Sequence, residues 1–267
     1  MEMTERKQIL LVGCGKMGSS LLNGWLSQKA YDHISVVEPA KVDLPEDVYL
    51  YSEVSSLPVD YKPSVVVFAV KPQLMDEVVA DYARFINKNT LFLSIAAGKP
   101  ISYFASSLFG GAIVRAMPNT PAAVHKGITV LCANDNVSQK QKAFSSKLME
   151  SVGEVTWIND EALMDAVTGL SGSGPAYVFY LVEAMASAGQ AAGLSADMAM
   201  KLARATVIGS GELLSQTEDS ASTLREKVTS PGGTTAAALE VLMGSNGMTS
   251  LLTKAISEAT IRSRELA

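Results

Sequence analysis

A short glycine-rich loop near the start of the chain places the strongest constraint on its fold. The loop spans residues 13–18, reads Gly-Cys-Gly-Lys-Met-Gly, and follows an apolar run at residues 9–12. After the loop, apolar side chains recur at helical spacing as far as Leu26. A strand that turns into a helix in this way presents free backbone N–H groups and the positive end of the helix dipole to an anion. We therefore predict a dinucleotide-binding strand–loop–helix unit, although a tight turn without a ligand has the same pattern.

Each residue of this loop has an expected role in cofactor binding. Gly13 permits the turn, Gly15 lets the backbone approach the pyrophosphate, and Gly18 lets the helix pack close to its strand. Lys16 and Met17 complete the predicted loop at the start of the helix.

An acidic residue, Glu38, stands twenty residues after Gly18 at the end of the second predicted strand. A carboxylate at this place accepts hydrogen bonds from adenosine ribose hydroxyls and repels the 2′-phosphate of NADP, which favours NADH. Lys41 would offset that charge if its loop folded back over the ribose. Both NADH and NADPH therefore remain open as cofactors.

Periodicity divides the chain into two parts. Up to about residue 160, β-branched runs alternate with helical segments and predict a parallel sheet, with strands at residues 9–12, 34–38, 65–70, 91–95, 112–116, 128–133 and 154–158 and a helix over 138–151. Beyond it the pattern is helical, with helices after Pro175 and Ser195, a connection over 215–223 and a helix over 236–243. We predict an α/β Rossmann-type nucleotide-binding domain over residues 1–160, followed by an all-α dimerisation and substrate-binding domain over 161–267. These helices are too apolar for so small a domain to cover, so we expect a second subunit to cover them.

Composition excludes several classes of partner. The net charge of −5 and a pI near 5.2, without a basic cluster, argue against nucleic acid. The polar start of the chain and its short first apolar run favour a cytoplasmic protein without a membrane span. Two isolated cysteines and two isolated histidines predict no metal site.

A second glycine-rich turn precedes the last predicted helical segment and reads Ser-Pro-Gly-Gly-Thr-Thr over residues 230–235. It is too small for a P-loop but suits one carboxylate, held by the Gly232 and Gly233 amides and the Ser230 hydroxyl. Thr235 would then face the molecule that carries the carboxylate. A helix cap without a ligand has the same composition.

Taken together, these motifs resemble the pyrroline-5-carboxylate reductase family over essentially the whole chain. Besides the two glycine turns, the resemblance is carried by Ala-Val-Lys-Pro-Gln at 69–73, Ser-Ile-Ala-Ala-Gly at 94–98, Arg-Ala-Met-Pro-Asn-Thr-Pro at 115–121 and Thr-Gly-Leu-Ser-Gly-Ser-Gly-Pro-Ala-Tyr at 168–177. The resemblance implies NAD(P)H-dependent reduction of 1-pyrroline-5-carboxylate to L-proline, the last step of proline biosynthesis. It also implies a homodimer or a higher assembly of dimers, with the pocket where one subunit's nucleotide domain meets the other's helices.

The resemblance also implies roles for individual cofactor-side residues. Val70, Lys71 and Pro72 would lie along the nicotinamide side of the cofactor, with Ala97 nearby. Asn119 would lie near both the nicotinamide and the substrate. Ser52 departs from the family pattern, because many NADPH-using members have Asn at this position, which leaves the adenosine-side contacts open.

On the substrate side, the resemblance implies that the 230–235 turn binds the substrate carboxylate through Ser230, Gly232, Gly233 and Thr234. Thr235 would be the catalytic residue, with its hydroxyl beside the ring nitrogen. Glu218 would line the same pocket, but relatives often have His-Pro soon after it where this chain has Ser-Ala at 220–221.

Two other functions compete with this interpretation. The β-hydroxyacid dehydrogenases join similar domains but need a lysine four residues after the last glycine of a segment like 169–174, where this chain has Val178. A non-catalytic NAD(P)-sensing protein would keep the fold without needing a carboxylate turn.

Overall fold

A computed structural model describes residues 7–28, 31 and 33–266. Contacts divide the chain into two compact units, one formed by residues 1–172 with 259–267 and the other by residues 173–258. The strands end at Trp157. The domain boundary predicted at residue 160 remains a prediction.

The first unit is built on an eight-stranded sheet with the order β3-β2-β1-β4-β5-β6-β7-β8. The strands are β1 (Gln8–Val12), β2 (His33–Val37), β3 (Val48–Tyr51), β4 (Val65–Phe68), β5 (Leu91–Ser94), β6 (Ala112–Met117), β7 (Gly127–Ala133) and β8 (Gly153–Trp157). The seven predicted strands are all present, each with bounds shifted by two residues or fewer. The eighth strand, β3, was not predicted; it is a short edge strand that pairs with β2.

The expectation of a wholly parallel sheet is wrong at one place, because β6 and β7 pair antiparallel. Only residues 118–126 connect these two strands. A parallel crossover needs a dozen or more residues, so this short connection returns the chain in the opposite direction. The other strand pairs are parallel.

Helices cover both faces of the sheet in this unit. They are α1 (Lys16–Gln28), α2 (Met75–Val78), α3 (Ile101–Ser107), α4 (Gln139–Glu150) and α5 (Met164–Val167). Alternation along β1 sends Ile9 and Leu11 into one buried cluster with Trp25 of α1, and Leu10 and Val12 into another on the opposite face. Ser138 and Gln141 form a reciprocal capping box at the start of α4.

The second unit is helical throughout its described range. Its helices are α6 (Gly174–Ala191), α7 (Ala196–Ser215), α8 (Ala221–Lys227), α9 (Thr234–Leu242) and α10 (Met248–Glu265), whose last residues belong to the first unit. The side chain of Ser195 caps α7 as predicted, accepting a hydrogen bond from the Met198 amide. Small residues let α6 and α7 approach closely, since a Cβ at Gly189 would lie 3.2 Å from the Ala199 Cβ.

One predicted connection of this unit ends earlier than expected. Residues 215–223 were predicted as a loop, but α8 begins within that range at Ala221. The Ser220 side chain accepts a hydrogen bond from the Thr223 amide and so starts the helix. The helix predicted over residues 236–243 also begins earlier, as α9 at Thr234.

Candidate active site

The Gly13–Gly18 loop lies at the carboxyl end of β1, beside the crevice between β1 and β4. Gly13 has a φ of +89°, and a Cβ there would lie 2.7 Å from Cγ1 of Val70. A Cβ at Gly18 would lie 2.5 Å from the Gly13 carbonyl oxygen. Both positions therefore require glycine, for the turn and for the close approach of α1.

Gly15 differs from these two glycines because the space beside it is open. Apart from Gly15 and its two chain neighbours, no heavy atom of the described residues lies within 4 Å of a Cβ built at Gly15, and the residue is exposed. Lys16 is also exposed, and Met17 is half-buried. This is the arrangement that a backbone needs if a pyrophosphate is to approach it.

Glu38 follows β2 and contacts the glycine loop directly. Its Oε2 accepts a hydrogen bond from the Cys14 N–H at 2.8 Å, and its Oε1 accepts one from the Ala40 N–H at 3.0 Å. This contact with the loop was not predicted, since the role expected of Glu38 was toward the ribose. A carboxylate has about four acceptor positions, so Glu38 can hold the loop and still accept bonds from a ribose.

The same carboxylate affects Cys14. Burial, and after it the charge of Glu38, raise the pKa of the Cys14 thiol. The thiol is therefore neutral at neutral pH and is not an activated nucleophile.

The loops after β4 and β5 lie at the same edge of the sheet, since both strands are parallel to β1. Val70 contacts the glycine loop, as its distance from Gly13 shows. Lys71 is exposed, and Pro72 begins a 3₁₀ turn that runs to Leu74. Ala97, in the loop after β5, is exposed as well. The crevice between β1 and β4, where the strand order reverses, is the place where dinucleotides bind in open α/β sheets.

Two clusters that the sequence analysis missed hold the loop after β5. Glu161 Oε1 accepts hydrogen bonds from the Ile101 N–H at 2.8 Å and from Nη1 of buried Arg115 at 2.9 Å. Lys99 Nζ lies 3.8 Å from Asp76 Oδ1 and 4.3 Å from the centroid of the Tyr103 ring. These contacts join residues up to 60 positions apart. Residue spacing gives no signal for such contacts.

Tyr103 completes the second cluster. Its hydroxyl donates to Asp76 Oδ1 at 2.5 Å. Partial burial, and after it the Asp76 carboxylate, raise the pKa of Tyr103. Because Asp76 lies in α2 and Tyr103 in α3, the cluster ties the loop after β4 to the loop after β5.

Asn119 lies just beyond β6, with both ends of its side-chain amide engaged. Its Oδ1 accepts from the Ile128 N–H at 3.0 Å, and its Nδ2 donates to the Ser171 carbonyl at 3.2 Å. One Nδ2 hydrogen remains to donate to a ligand. The side chain thus has a clear structural role, which the sequence analysis had not identified.

In the second unit, residues 230–233 form the turn that starts α9. Gly232 has a φ of +71°, and the Gly233 N–H donates to the Ser230 carbonyl at 3.0 Å. The Gly233 amide is thus used within the turn. The Gly232 amide and the first-turn amides of α9 at Thr234 and Thr235 remain as candidate donors to an anion.

Glu218 is exposed and lies shortly before α8. The neighbouring Asp219 accepts from Lys227 at 2.5 Å, and this contact lowers the pKa of Asp219. Ser220, where the resemblance led us to expect His, caps α8 with its side chain. The departure from the family pattern therefore has a local structural purpose.

Within the described residues, the chain lacks a metal-binding cluster and a membrane-spanning helix. No group of three or more His, Cys, Asp or Glu side chains there could hold a metal ion. None of the described helices has the length and apolar character needed to cross a membrane.

The strand order, the glycine loop and the acid after β2 define a dinucleotide-binding protein of the Rossmann class with an additional helical unit. Comparisons with known proteins narrow this class. The family model for pyrroline-5-carboxylate reductase dimerisation matches residues 161–266, and that for coenzyme F420-dependent NADP oxidoreductase matches residues 8–98.

Relatives of known identity match nearly the whole chain. A pyrroline-5-carboxylate reductase from Synechocystis is 40% identical, over 97% of this chain and 98% of its own. The structure of a pyrroline-5-carboxylate reductase from Coxiella burnetii has a TM-score of 0.88 at 33% identity, covering 98% of this chain and 99% of that one. The Plasmodium falciparum pyrroline carboxylate reductase, crystallised with NADP bound, has a TM-score of 0.83 at 28% identity, covering 98% of each chain. The chain belongs to the pyrroline-5-carboxylate reductase family.

The helical unit has the surface expected of a dimerisation domain. Large apolar side chains on α6, α7, α9 and α10 are exposed in the single chain. Five of them are 62–75% exposed: Phe179, Tyr180, Ile208, Val241 and Leu251. A monomer rarely exposes so many large apolar groups. The match of residues 161–266 to a dimerisation family agrees with this surface.

Proposed function

We propose that this protein reduces 1-pyrroline-5-carboxylate to L-proline with NADPH or NADH. The observation that carries the proposal is the glycine turn at α9, which offers free helix N-terminal amides to a carboxylate in a chain that also has a dinucleotide fold. Similarity to pyrroline-5-carboxylate reductases along the whole chain supports it.

The residues of the first unit fit the dinucleotide. Open space beside Gly15 suits the pyrophosphate, and a Cβ would begin to fill it. The proposed cofactor-binding residues are Gly13, Gly15, Lys16, Met17 and Gly18 for the pyrophosphate, Glu38 for the adenosine ribose, and Val70, Lys71, Pro72 and Ala97 for the nicotinamide side. When bound, the cofactor supplies the hydride.

The turn at α9 is proposed to hold the substrate carboxylate. The donors would be the Ser230 hydroxyl, the Gly232 amide and the Thr234 amide. A Cβ at Gly233 would lie 2.5 Å from Ser230 Oγ, so glycine there leaves the hydroxyl its place. Glu218 and Asn119 are proposed to line the substrate pocket, Asn119 through its remaining Nδ2 hydrogen.

The chemistry asks the protein mainly to position the reactants. The substrate carbon of the C=N bond gains a hydride and the nitrogen holds one proton, so the double bond becomes the single bond of a cyclic amine. A protonated imine is already electrophilic, so a dedicated acid–base pair is not required. Thr235, the second residue of α9 and half-buried, is proposed to hold that N–H by accepting its hydrogen bond.

A direct assay tests the proposal. Purified protein is mixed with 1-pyrroline-5-carboxylate and, separately, NADPH or NADH, and the nicotinamide absorbance is followed together with proline formation. We expect absorbance loss matched by proline. Dinucleotide binding without oxidation of either cofactor at any pH would contradict the proposal and favour an NAD(P)-sensing protein.

We also propose that the protein acts as a homodimer in the cytoplasm, with any larger assembly built from dimers. The exposed apolar side chains of the helical unit support self-association. Sedimentation at micromolar concentration measures the assembly, and a stable monomer would contradict this part of the proposal.

A further inference from the structure

We infer that the C-terminal end of α10 is a positioning element for the Ala97–Gly98 turn, on the proposed nicotinamide side of the cofactor site. The inference rests on the nucleotide site of the proposed function but not on the identity of the substrate. All the residues that carry it belong to the first compact unit.

The turn packs directly against the end of the chain. Gly98 has a φ of +73° and is buried. A Cβ there would lie 2.8 Å from the Leu266 carbonyl oxygen and 3.0 Å from its carbonyl carbon. Backbone therefore faces backbone at this point, and Leu266 forms the support behind the turn.

A partly buried hydrogen bond fixes the segment that carries Leu266. The Ser263 side chain donates to Asp165 Oδ1 at 2.7 Å, and Ser263 is only 4% exposed. Arg264 Nε lies 3.8 Å from the other carboxylate oxygen of Asp165. The Leu266 N–H then donates to the Ser263 carbonyl at 3.3 Å, which continues the anchor to the last described residue.

The same short stretch of chain also holds the other side of the turn. Asp165 lies in α5, four residues after Glu161, whose carboxylate binds the Ile101 N–H just beyond the turn. Ala97 itself is exposed and can contact a ligand. The turn is thus held in one conformation from two sides while its ligand-facing residue stays free.

Loss of this support should affect binding of the nicotinamide end of the cofactor but not binding of its adenosine end. Loss of the Leu266 support frees a turn whose glycine adopts a left-handed conformation, so binding must then order it again. The nicotinamide end of the cofactor loses a preorganised surface. The adenosine and pyrophosphate contacts, at Glu38 and the glycine loop, are left as they were.

Binding measurements with and without the nicotinamide test this inference. One variant lacks residues 266 and 267, a second is Ser263→Ala, and Ser263→Thr keeps the hydroxyl. The matched control is Arg262→Ala, because Arg262 is exposed, lies on the same helix and pairs with Glu265 rather than with Asp165 or the turn. For each protein, dissociation constants are measured for NADH and NADPH and for ADP-ribose and its 2′-phosphate, with melting temperature recorded alongside.

We expect the deletion and Ser263→Ala to weaken dinucleotide binding by about threefold to tenfold, the effect of losing one or two modest contacts. Binding of the ADP-ribose compounds should stay unchanged, and Ser263→Thr and Arg262→Ala should resemble the unmodified protein. Equal weakening of both ligand types, or no change in either, overturns the inference. Dinucleotide binding with this split but no reduction of pyrroline-5-carboxylate would refute only the proposed reaction.

Discussion

Replacing Gly18 or Gly15 by alanine should give opposite results, because the two glycines serve different purposes. A Cβ at Gly18 would lie 2.5 Å from the Gly13 carbonyl oxygen and 3.3 Å from the Ala69 Cβ. Backbone at 2.5 Å cannot move aside as a flexible side chain would, so α1 must shift away from its strand. Overpacking of this kind costs roughly 1–3 kcal/mol, and alanine regains up to about 1 kcal/mol in helix propensity.

A Cβ only 2.5 Å from backbone puts the overpacking cost in the upper part of that range, so the net loss for Gly18→Ala is roughly 1–2 kcal/mol. For a chain of this size each kcal/mol lowers the melting temperature by about 2–4 °C, so we expect a fall of roughly 2–8 °C. Cofactor affinity should fall too, since the shift of α1 moves its first-turn amides.

Gly15→Ala should keep the fold and lose the ligand. Beyond the adjacent residues of the chain, no described atom lies within 4 Å of the new Cβ, so the melting temperature should change by no more than about 2 °C. A methyl group in the space proposed for the pyrophosphate should raise the dissociation constant at least about tenfold, or 1.4 kcal/mol.

Differential scanning fluorimetry and fluorescence titration with NADH and NADPH measure both quantities on the same samples. We expect a stable, weakly binding Gly15→Ala protein and a destabilised Gly18→Ala protein. Unchanged affinity in Gly15→Ala would refute the placement of the pyrophosphate. A Gly18→Ala protein as stable as the unmodified one would refute the close-packing argument.

Four further predictions concern single side chains. Thr235→Ala should lose roughly 1–3 kcal/mol of transition-state stabilisation, measured as a fall in kcat/KM, whereas Thr235→Ser should retain most of the kcat/KM of the unmodified protein. Equal kinetics for all three proteins would show that the Thr235 hydroxyl has no role in the reaction. Glu38→Gln keeps an acceptor for the Cys14 amide but removes the charge, so its kcat/KM for NADPH should rise relative to that for NADH, as it should in Glu38→Ser. The unmodified protein should use NADH at least as well as NADPH. A strong preference of the unmodified protein for NADPH would contradict this role of Glu38. Glu161→Ala leaves buried Arg115 without its partner and should cost about 2–4 kcal/mol in urea unfolding, and a loss below about 0.5 kcal/mol would show that the pair is not a structural support. The raised pKa of Cys14 means that its reactive thiolate forms only at higher pH, so iodoacetamide labelling of its peptide should be slow at neutral pH and quicken in alkali; rapid labelling at neutral pH would contradict the burial of the thiol.

The parts of the fold that the sequence predicted are those set by local patterns. Continuous apolar runs marked the buried strands, and the glycine loop marked the β1–α1 turn, because both depend on neighbouring residues. The short strand β3 was not predicted, because four residues at a sheet edge are too few to show a clear alternation of apolar and polar side chains. The antiparallel β6–β7 pair was missed although the length of residues 118–126 could have indicated it.

In the candidate site too, features set by local sequence were predictable and contacts between distant residues were not. Glycine turns and the acid after β2 are visible in the sequence, because their chemistry requires particular residue types at fixed spacing. Three other contacts are not visible in the sequence: the Glu38 bond to the Cys14 amide, the Arg115–Glu161 pair and the packing of Leu266 against Gly98. They join residues far apart in the chain, and only the folded backbone brings them together.

The central claim is that hydride passes from a nicotinamide to the imine carbon of a carboxylate-bearing ring. The most direct test incubates the unmodified protein with 1-pyrroline-5-carboxylate and NADPH, or NADH, carrying two deuterium atoms at C4 of the nicotinamide. Mass spectrometry and NMR then locate the label in the product. The account predicts L-proline with one deuterium on the former imine carbon, and oxidation of the cofactor with unlabelled proline or with no proline would contradict it.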